Sequence, residues 1–212
     1  MPFYHRAKGR YHDFRGEFVD ALDHYSKAIE GYKVSEGSEI AFAYVLKGFL
    51  LSNSDLHSRC IEVFEEDLPY ARAAKSKNSL CLMLDWYGDY YFYGLDSIVD
   101  NEKALEYYMQ VKEILPQINY QRIIADNHAC LSGVNRRLGN TVLADHHFAI
   151  ADSLVVEHNL PFVRWGLYAE KANQLEKVGL FREANHIYLQ CQEFMGPTTH
   201  IEFKSRLSLI HI

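Results

Sequence analysis

The chain has 212 residues and a formal net charge of −6 at pH 7, with 48% hydrophobic and 24% charged side chains. These proportions are ordinary for a globular protein and exclude a largely disordered chain, while the sparse glycines and prolines exclude a collagen-like one. The acidic balance argues against non-specific nucleic-acid binding. We also predict no membrane span and no signal peptide, because no apolar run reaches about 18 residues and residues 1–6 lack an apolar core.

The first predicted helices set a pattern that the rest of the chain repeats. Ala21, Tyr25 and Ala28 follow one another at steps of four and three residues, which places them on one face of a helix. Comparable triplets recur as Cys60, Phe64, Asp67; Ala104, Tyr108, Val111; Ala144, Phe148, Ala151; and Ala184, Tyr188, Cys191. Their first members lie 39, 44, 40 and 40 residues apart. The chain is therefore predicted to be a repeat array whose triplets are buried.

A second helix precedes each triplet helix. Apolar spacing predicts it over residues 40–52, 80–93, 123–138 and 163–178. A turn residue lies five positions before the triplet, as Gly16, Asp55, Gly139 and Gly179, and the longer turn 94–101 replaces it in the third repeat. Each repeat therefore consists of helix A, a turn, helix B and a turn. In the second repeat Pro69 predicts that helix B breaks or restarts.

This pattern resembles the tetratricopeptide repeat, in which helix A carries a small residue and helix B carries Ala-x₃-Phe. The small residues of helix A are here Gly9, Gly48, Gly88, Ser132 and Ala172. The resemblance implies an all-α fold, a right-handed superhelical solenoid of antiparallel helix pairs whose A helices line a concave face. It implies a single domain, 1–212, with repeats at about 4–37, 38–77, 78–118, 119–160 and 161–197 and a final helix at 199–212. The long step of about 40 residues is similar to that of repeats in bacterial signalling proteins and transcription activators.

Residues suited to catalysis or metal binding form no recognisable motif. The four cysteines lie far apart without a Cys-x-x-Cys pair, which predicts buried thiols in a reducing, cytoplasmic compartment. His146 and His147 point about 100° apart on a helix. His5 and His12 share a helical face, but no third ligand is evident. Nucleotide-binding and nucleophile motifs are also missing from the sequence, so we predict a non-catalytic protein without metal or cofactor.

Charged and aromatic residues of the A helices form a candidate partner groove, predicted from their helical phase relative to the small residue. They are Arg6, Arg10, Phe14, Phe42, Phe49, Asp85, Asp89, Phe92, Arg136 and Arg137. This mixed groove suits a protein or peptide partner with both charge signs and apolar anchors, rather than a chaperone tail. Reversing Arg136 and Arg137 is expected to weaken binding and to leave folding nearly unchanged. The alternative is that all these side chains are merely solvated.

Two functions fit a non-catalytic repeat. One is the regulatory domain of a larger bacterial signalling protein, with a GGDEF-type or DNA-binding output domain. The other is a free-standing adaptor that docks a polypeptide, and an enzyme with an unrecognised site is a remote third. The segment 201–212 predicts an apolar-striped helix A with no helix B after it, so we expect an excised domain or self-association through this end.

Overall fold

The computed structural model describes residues 1–35, 39–53, 57–73, 76–94 and 98–194. These residues are almost entirely helical and contain no strand, which confirms the all-α prediction. Their helices are α1 (Pro2–Phe14), α2 (Phe18–Ser35), α3 (Ile40–Asn53), α4 (His57–Ala73), α5 (Lys77–Tyr93), α6 (Asn101–Ile114), α7 (Gln121–Arg137), α8 (Thr141–Glu157), α9 (Pro161–Lys177) and α10 (Phe181–Phe194). No helix within these ranges has the length and hydrophobicity to cross a membrane. The predicted final helix, 199–212, lies outside the described residues.

The helices pack in sequential pairs. The chain divides into two compact units, Met1–Trp86 and a second unit that begins at Tyr87, so the boundary falls within α5. In the first unit the most extensive contacts join α1 to α2 and α3 to α4. In the second unit they join α7 to α8 and α9 to α10. Each of these pairs matches one predicted repeat, with helix A followed by helix B.

The repeated triplets lie at the centre of the pairs. Every member of the triplets that begin at Ala21 and Ala104 is fully buried. The first and last members of the other three triplets are buried as well: Cys60, Asp67, Ala144, Ala151, Ala184 and Cys191. The predicted burial is therefore confirmed for these positions. An isolated helix cannot bury the residues of one face, whereas a pair of packed helices can.

The ring of helix B packs directly on the small residue of helix A. A Cβ atom added to these glycines would lie 2.5 Å or less from the ring atoms, closer than real Cβ contacts come. The pairs are Gly9 with Tyr25, Gly48 with Phe64 and Gly88 with Tyr108. A glycine in mid-helix lowers helix stability, so its presence here reflects the close approach of the two helices.

Three glycines form the predicted turns between the two helices of a repeat. Gly16, Gly139 and Gly179 have φ angles of 72°, 81° and 81°, in the left-handed region that other residues rarely adopt. In each case the amide of the following residue donates to a carbonyl near the end of helix A. This is a common way to satisfy the last carbonyls of a helix, and it explains why the spacing between turn and triplet is constant.

The second repeat departs from the pattern at Asp67. Its side chain is fully buried, and neither carboxylate oxygen has a hydrogen-bond partner among the described residues. Burial, with a smaller contribution from the adjacent Glu66, raises the pKa of Asp67 to about 8. The predicted helix break at Pro69 is wrong, because α4 continues through it to Ala73. Ala71, two residues beyond Pro69, is also fully buried, so the helix packs into the core on both sides of the proline.

We expect Gly88→Ala to lower the free energy of unfolding by about 1–3 kcal/mol, because the new methyl group would lie 2.3 Å from the Tyr108 ring. Gly166→Ala, in the interior of α9, is the matched control. No atom of the described residues outside its own helix turn lies within 4 Å of a Cβ at that position, so the higher helix propensity of alanine should stabilise the chain by about 0.5–1 kcal/mol. Urea denaturation of both variants tests this, and stabilisation of both would contradict the close ring contact.

We expect Asp67→Ala to stabilise the chain, since it removes a buried carboxyl that has no hydrogen-bond partner among the described residues. The folded chain keeps this group protonated up to its pKa of about 8, whereas the unfolded chain releases the proton near its ordinary value of 3.8. The free energy of unfolding of the wild type therefore falls as pH rises between these values, and the gain from alanine should be larger at pH 8 than at pH 5. Urea denaturation at both pH values measures it, and an equal gain would contradict the raised pKa.

Candidate functional site

In the first unit the structure brings part of the predicted groove together. The guanidinium group of Arg6 on α1 lies 5.1 Å from the ring centre of Phe42 on α3, and it also forms an ion pair with Glu39. Arg10 and Phe14, farther along α1, are exposed. Arg6 is therefore held between two elements, while Arg10 and Phe14 extend from the surface.

Phe49 and Asp85 are less accessible to a binding partner than their helical phase predicts. The Phe49 ring packs edge-on against the Trp86 ring, with 72° between the ring planes. Asp85, next to Trp86 on α5, is only 5% exposed. Aromatic residues surround this part of α5, so its faces are covered more completely than those of a helix with a single apolar stripe.

The A helices α5, α7 and α9 meet in the second unit at Gly133. A Cβ atom at Gly133 would lie 3.0 Å from the Phe92 ring on α5 and 3.2 Å from Glu170 on α9. Phe92 itself is only 1% exposed. We call the surface that these three helices present around Gly133 the A-helix face. Phe92 is a buried support of this face rather than a side chain that a partner contacts.

Arg137 joins the three helices of the A-helix face. Its Nη1 donates to the carbonyl oxygen of Phe92 at 2.6 Å, and its guanidinium carbon lies 3.5 Å from the Phe92 ring centre. Its Nε and Nη2 donate to the two carboxylate oxygens of Glu170 at 3.1 and 3.2 Å. The side chains of Arg137 and Glu170 are only 16% and 9% exposed. This is a largely buried, bidentate ion pair with a clear structural role.

The neighbouring Arg136 has different surroundings. Its Nη2 donates to Asp145 on α8 at 2.7 Å, and 71% of the Asp145 side chain is exposed. The two arginines therefore contact different helices. Arg137 is not the exposed charge that the sequence predicted. We therefore expect its reversal to destabilise the fold, because a carboxylate would then lie against the buried carboxylate of Glu170.

Two half-buried carboxyl groups lie on the A-helix face, Asp89 on α5 and Asp126 on α7. Asp89 accepts a hydrogen bond from the Tyr108 hydroxyl at 2.8 Å. Burial, opposed by that hydrogen bond and assisted by the charge of Asp126, raises the pKa of Asp89 to about 7. Burial also raises the pKa of Asp126, although the nearby Arg122 opposes it. Neither carboxylate forms an ion pair with a cationic side chain of the described residues, so the pair favours a cation.

Sequence reasoning missed Glu170 as a member of this face. The residue is charged but buried, a combination that composition and helical phase do not reveal. Its signal in the sequence is the opposite charge of Arg137, 33 residues earlier. A second missed residue is His24, whose Nδ1 lies 3.0 Å from the Nδ1 of His5.

Comparison of the sequence with family models and with curated proteins adds no relatives. No protein-family model matches the chain, and no curated protein is similar to it. The function is therefore inferred from the chain's own residues.

We expect Arg137→Met to destabilise the chain by roughly 3 kcal/mol, because it leaves the Glu170 carboxylate buried without its partner. Arg136→Met is the control and should cost less than about 1 kcal/mol, since its ion pair with Asp145 is exposed. The double variant Arg137→Met/Glu170→Leu should recover most of the loss. Urea denaturation of the three variants checks this, and equal effects of the two arginine substitutions would contradict the structural role of Arg137.

Proposed function

We propose that the chain is a non-catalytic repeat of the tetratricopeptide type that binds a polypeptide segment on the A-helix face. The observation that supports this most directly is the pair of half-buried carboxyl groups, Asp89 and Asp126. Their raised pKa values follow from burial, and neither has an ion-pair partner in the part of the chain that the structure describes. A lysine, arginine or terminal amine of a bound segment would provide the missing positive charge.

An apolar contact is available beside this acidic pair. Tyr93 at the end of α5 is 54% exposed, and its ring centre lies 5.7 Å from the guanidinium carbon of Arg137. Exposed tyrosines on a rigid support are common anchors in protein interfaces, because they bury a large area at a small cost in conformational entropy. A basic side chain next to an apolar or aromatic one is therefore the chemistry that this surface suits best.

In its biological setting, we propose that the chain is a cytoplasmic regulatory domain that senses a protein within a larger bacterial signalling system. Successive helix pairs would follow one another as in a right-handed solenoid, with the A helices on the concave side. The alternative setting is a free-standing adaptor with the same binding surface. Determination of whether a GGDEF-type or DNA-binding output domain is encoded in the same reading frame distinguishes the two.

A peptide-display selection tests the binding proposal. We expect 12-residue random peptides selected on the wild-type chain to be enriched in lysine or arginine next to aromatic residues. The double variant Asp89→Asn/Asp126→Asn should weaken their binding at least tenfold, measured by fluorescence anisotropy, because it removes both negative charges. Binding should also be tighter at pH 8 than at pH 6, since Asp89 loses its charge below a pKa of about 7.

The matched control is Glu106→Gln/Glu113→Gln, which removes two exposed carboxylates from α6. It removes the same number of carboxyl groups and should leave the affinity within about twofold. Equal weakening by the control would show non-specific attraction to an acidic protein. Full binding by the double asparagine variant would refute the proposed surface.

A further inference from the structure

A row of metal-binding side chains lies between α1 and α2 in the first unit. His5 and His24 face each other with their Nδ1 atoms 3.0 Å apart. The ring centres of His24 and His12 are 5.3 Å apart, with the two planes nearly parallel at 17°. Glu17 and Asp20 lie beyond His12. One donor atom from each of His12, Glu17 and Asp20 lies within 4.8 Å of the donor atoms of the other two. We call these five residues the histidine row.

Helix geometry explains why the row is continuous. His5 and His12 are seven residues apart on α1, and so lie two turns apart on one face. Glu17, the residue immediately before α2, precedes Asp20 and His24 by three and seven residues, which places it at the end of their face. The sharp turn at Gly16 brings the two helices side by side, so the two faces meet. From the sequence alone, only the two histidines of α1, His5 and His12, could be recognised as neighbours.

We propose that the histidine row binds a divalent transition metal ion, and that zinc is the ion its donors suit best. His12, Glu17 and Asp20 are the protein ligands, and His24 reaches the ion as a fourth ligand by rotation of its ring. Imidazole nitrogen and carboxylate oxygen are both common zinc donors, with bonds of about 2.0–2.2 Å. Four donors of this kind fill a tetrahedral site, which is the arrangement of structural zinc sites in proteins.

The contact between the Nδ1 atoms of His5 and His24 leaves the Nε2 atom of His24 as the donor. His5 is then a positioning residue that sets the orientation of the His24 ring.

The second unit provides an internal comparison. His128 on α7 and His147 on α8 are also 19 residues apart, and their Nδ1 atoms lie 2.9 Å from each other. Burial and the nearby His128 lower the pKa of His147 to about 4. Within the described residues, however, no group of three close donors includes this pair, whereas the row in the first unit does contain such a group. We interpret a histidine pair alone as a hydrogen bond that joins two helices. The first unit differs because the imidazole of His12 and the carboxylates of Glu17 and Asp20 lie beside its pair.

Titration of the chelator-treated chain with zinc chloride, by isothermal calorimetry at pH 7.5, tests the proposal. We expect one zinc ion per chain. His12→Gln and Glu17→Gln should each weaken binding at least tenfold, and His146→Gln, which replaces an exposed histidine of α8, should have no effect. Asp20→Asn should also weaken binding, and because Asp20 is exposed this variant is not expected to disturb folding. Cobalt(II) in place of zinc should show the visible absorption of a tetrahedral site, which His12→Gln removes.

Zinc should also raise the melting temperature of the wild type, because the ion links α1 to α2 only in the folded chain, and it should not raise that of His12→Gln. Circular dichroism verifies that each variant is helical. Undetectable zinc binding by the wild type would overturn the proposal. So would undiminished binding by the His12, Glu17 and Asp20 variants, because the ion would then be held by other residues. Asp89→Asn/Asp126→Asn should bind zinc normally, so this result is independent of the proposed peptide surface.

Discussion

The contact between an aromatic ring of helix B and a small residue of helix A is the constraint on which the rest of the structure depends. It fixes the distance between the two helices and their relative position along the axis, since the ring has to lie over the glycine. It also places polar groups, because a buried tyrosine needs a partner for its hydroxyl. Tyr25 donates to Asp13 at 3.1 Å, and Tyr108 donates to Asp89 at 2.8 Å. Asp89 therefore has two roles. It is part of the candidate surface, and its hydrogen bond with Tyr108 is part of the packing between helices A and B.

The repeat was predictable from the sequence because it depends on local spacing. Steps of three and four residues determine which side chains share a helix face, and a glycine in mid-helix marks a close approach. Helical phase does not show which neighbouring helix packs against a given helix face. Arg136 and Arg137 look equivalent in the sequence, yet one reaches the exposed Asp145 and the other the buried Glu170. The difference depends on where α8 and α9 lie, which is set by tertiary packing.

The histidine row shows the same limit between two helices. His5 and His12 are recognisable as one face of α1, but the ligand that connects them, His24, lies on α2. Its position opposite them follows from the turn at Gly16 and from the ring of Tyr25, the residue next to His24. Clusters of this kind become visible only when the pairing of the helices is known. Pro69 illustrates the reverse case, since packing keeps a helix intact where local rules predict a break.

Ion pairs between repeats share a regular spacing. Arg6 with Glu39, Lys33 with Glu66 and Arg137 with Glu170 each join residues 33 positions apart. The first joins α1 to Glu39, the residue before α3, the second connects the B helices α2 and α4, and the third connects the A helices α7 and α9. The exposed Lys33–Glu66 pair contributes little, up to about 1 kcal/mol, whereas the buried Arg137 pair has a larger effect when it is broken. The shared spacing indicates that charge, as well as apolar packing, follows the repeat.

The turns at Gly139 and Gly179 have a practical consequence for protein engineering. Both glycines are exposed, and within the described ranges no atom beyond their immediate neighbours lies within 4 Å of a Cβ built on either. Exposed turns with small residues are the positions where proteins most readily accept inserted segments or new chain ends. A fluorescent domain or an affinity tag placed there would leave the buried triplets on both sides intact. These two turns, each between helix A and helix B of a repeat, are therefore natural points at which to attach a reporter to the chain.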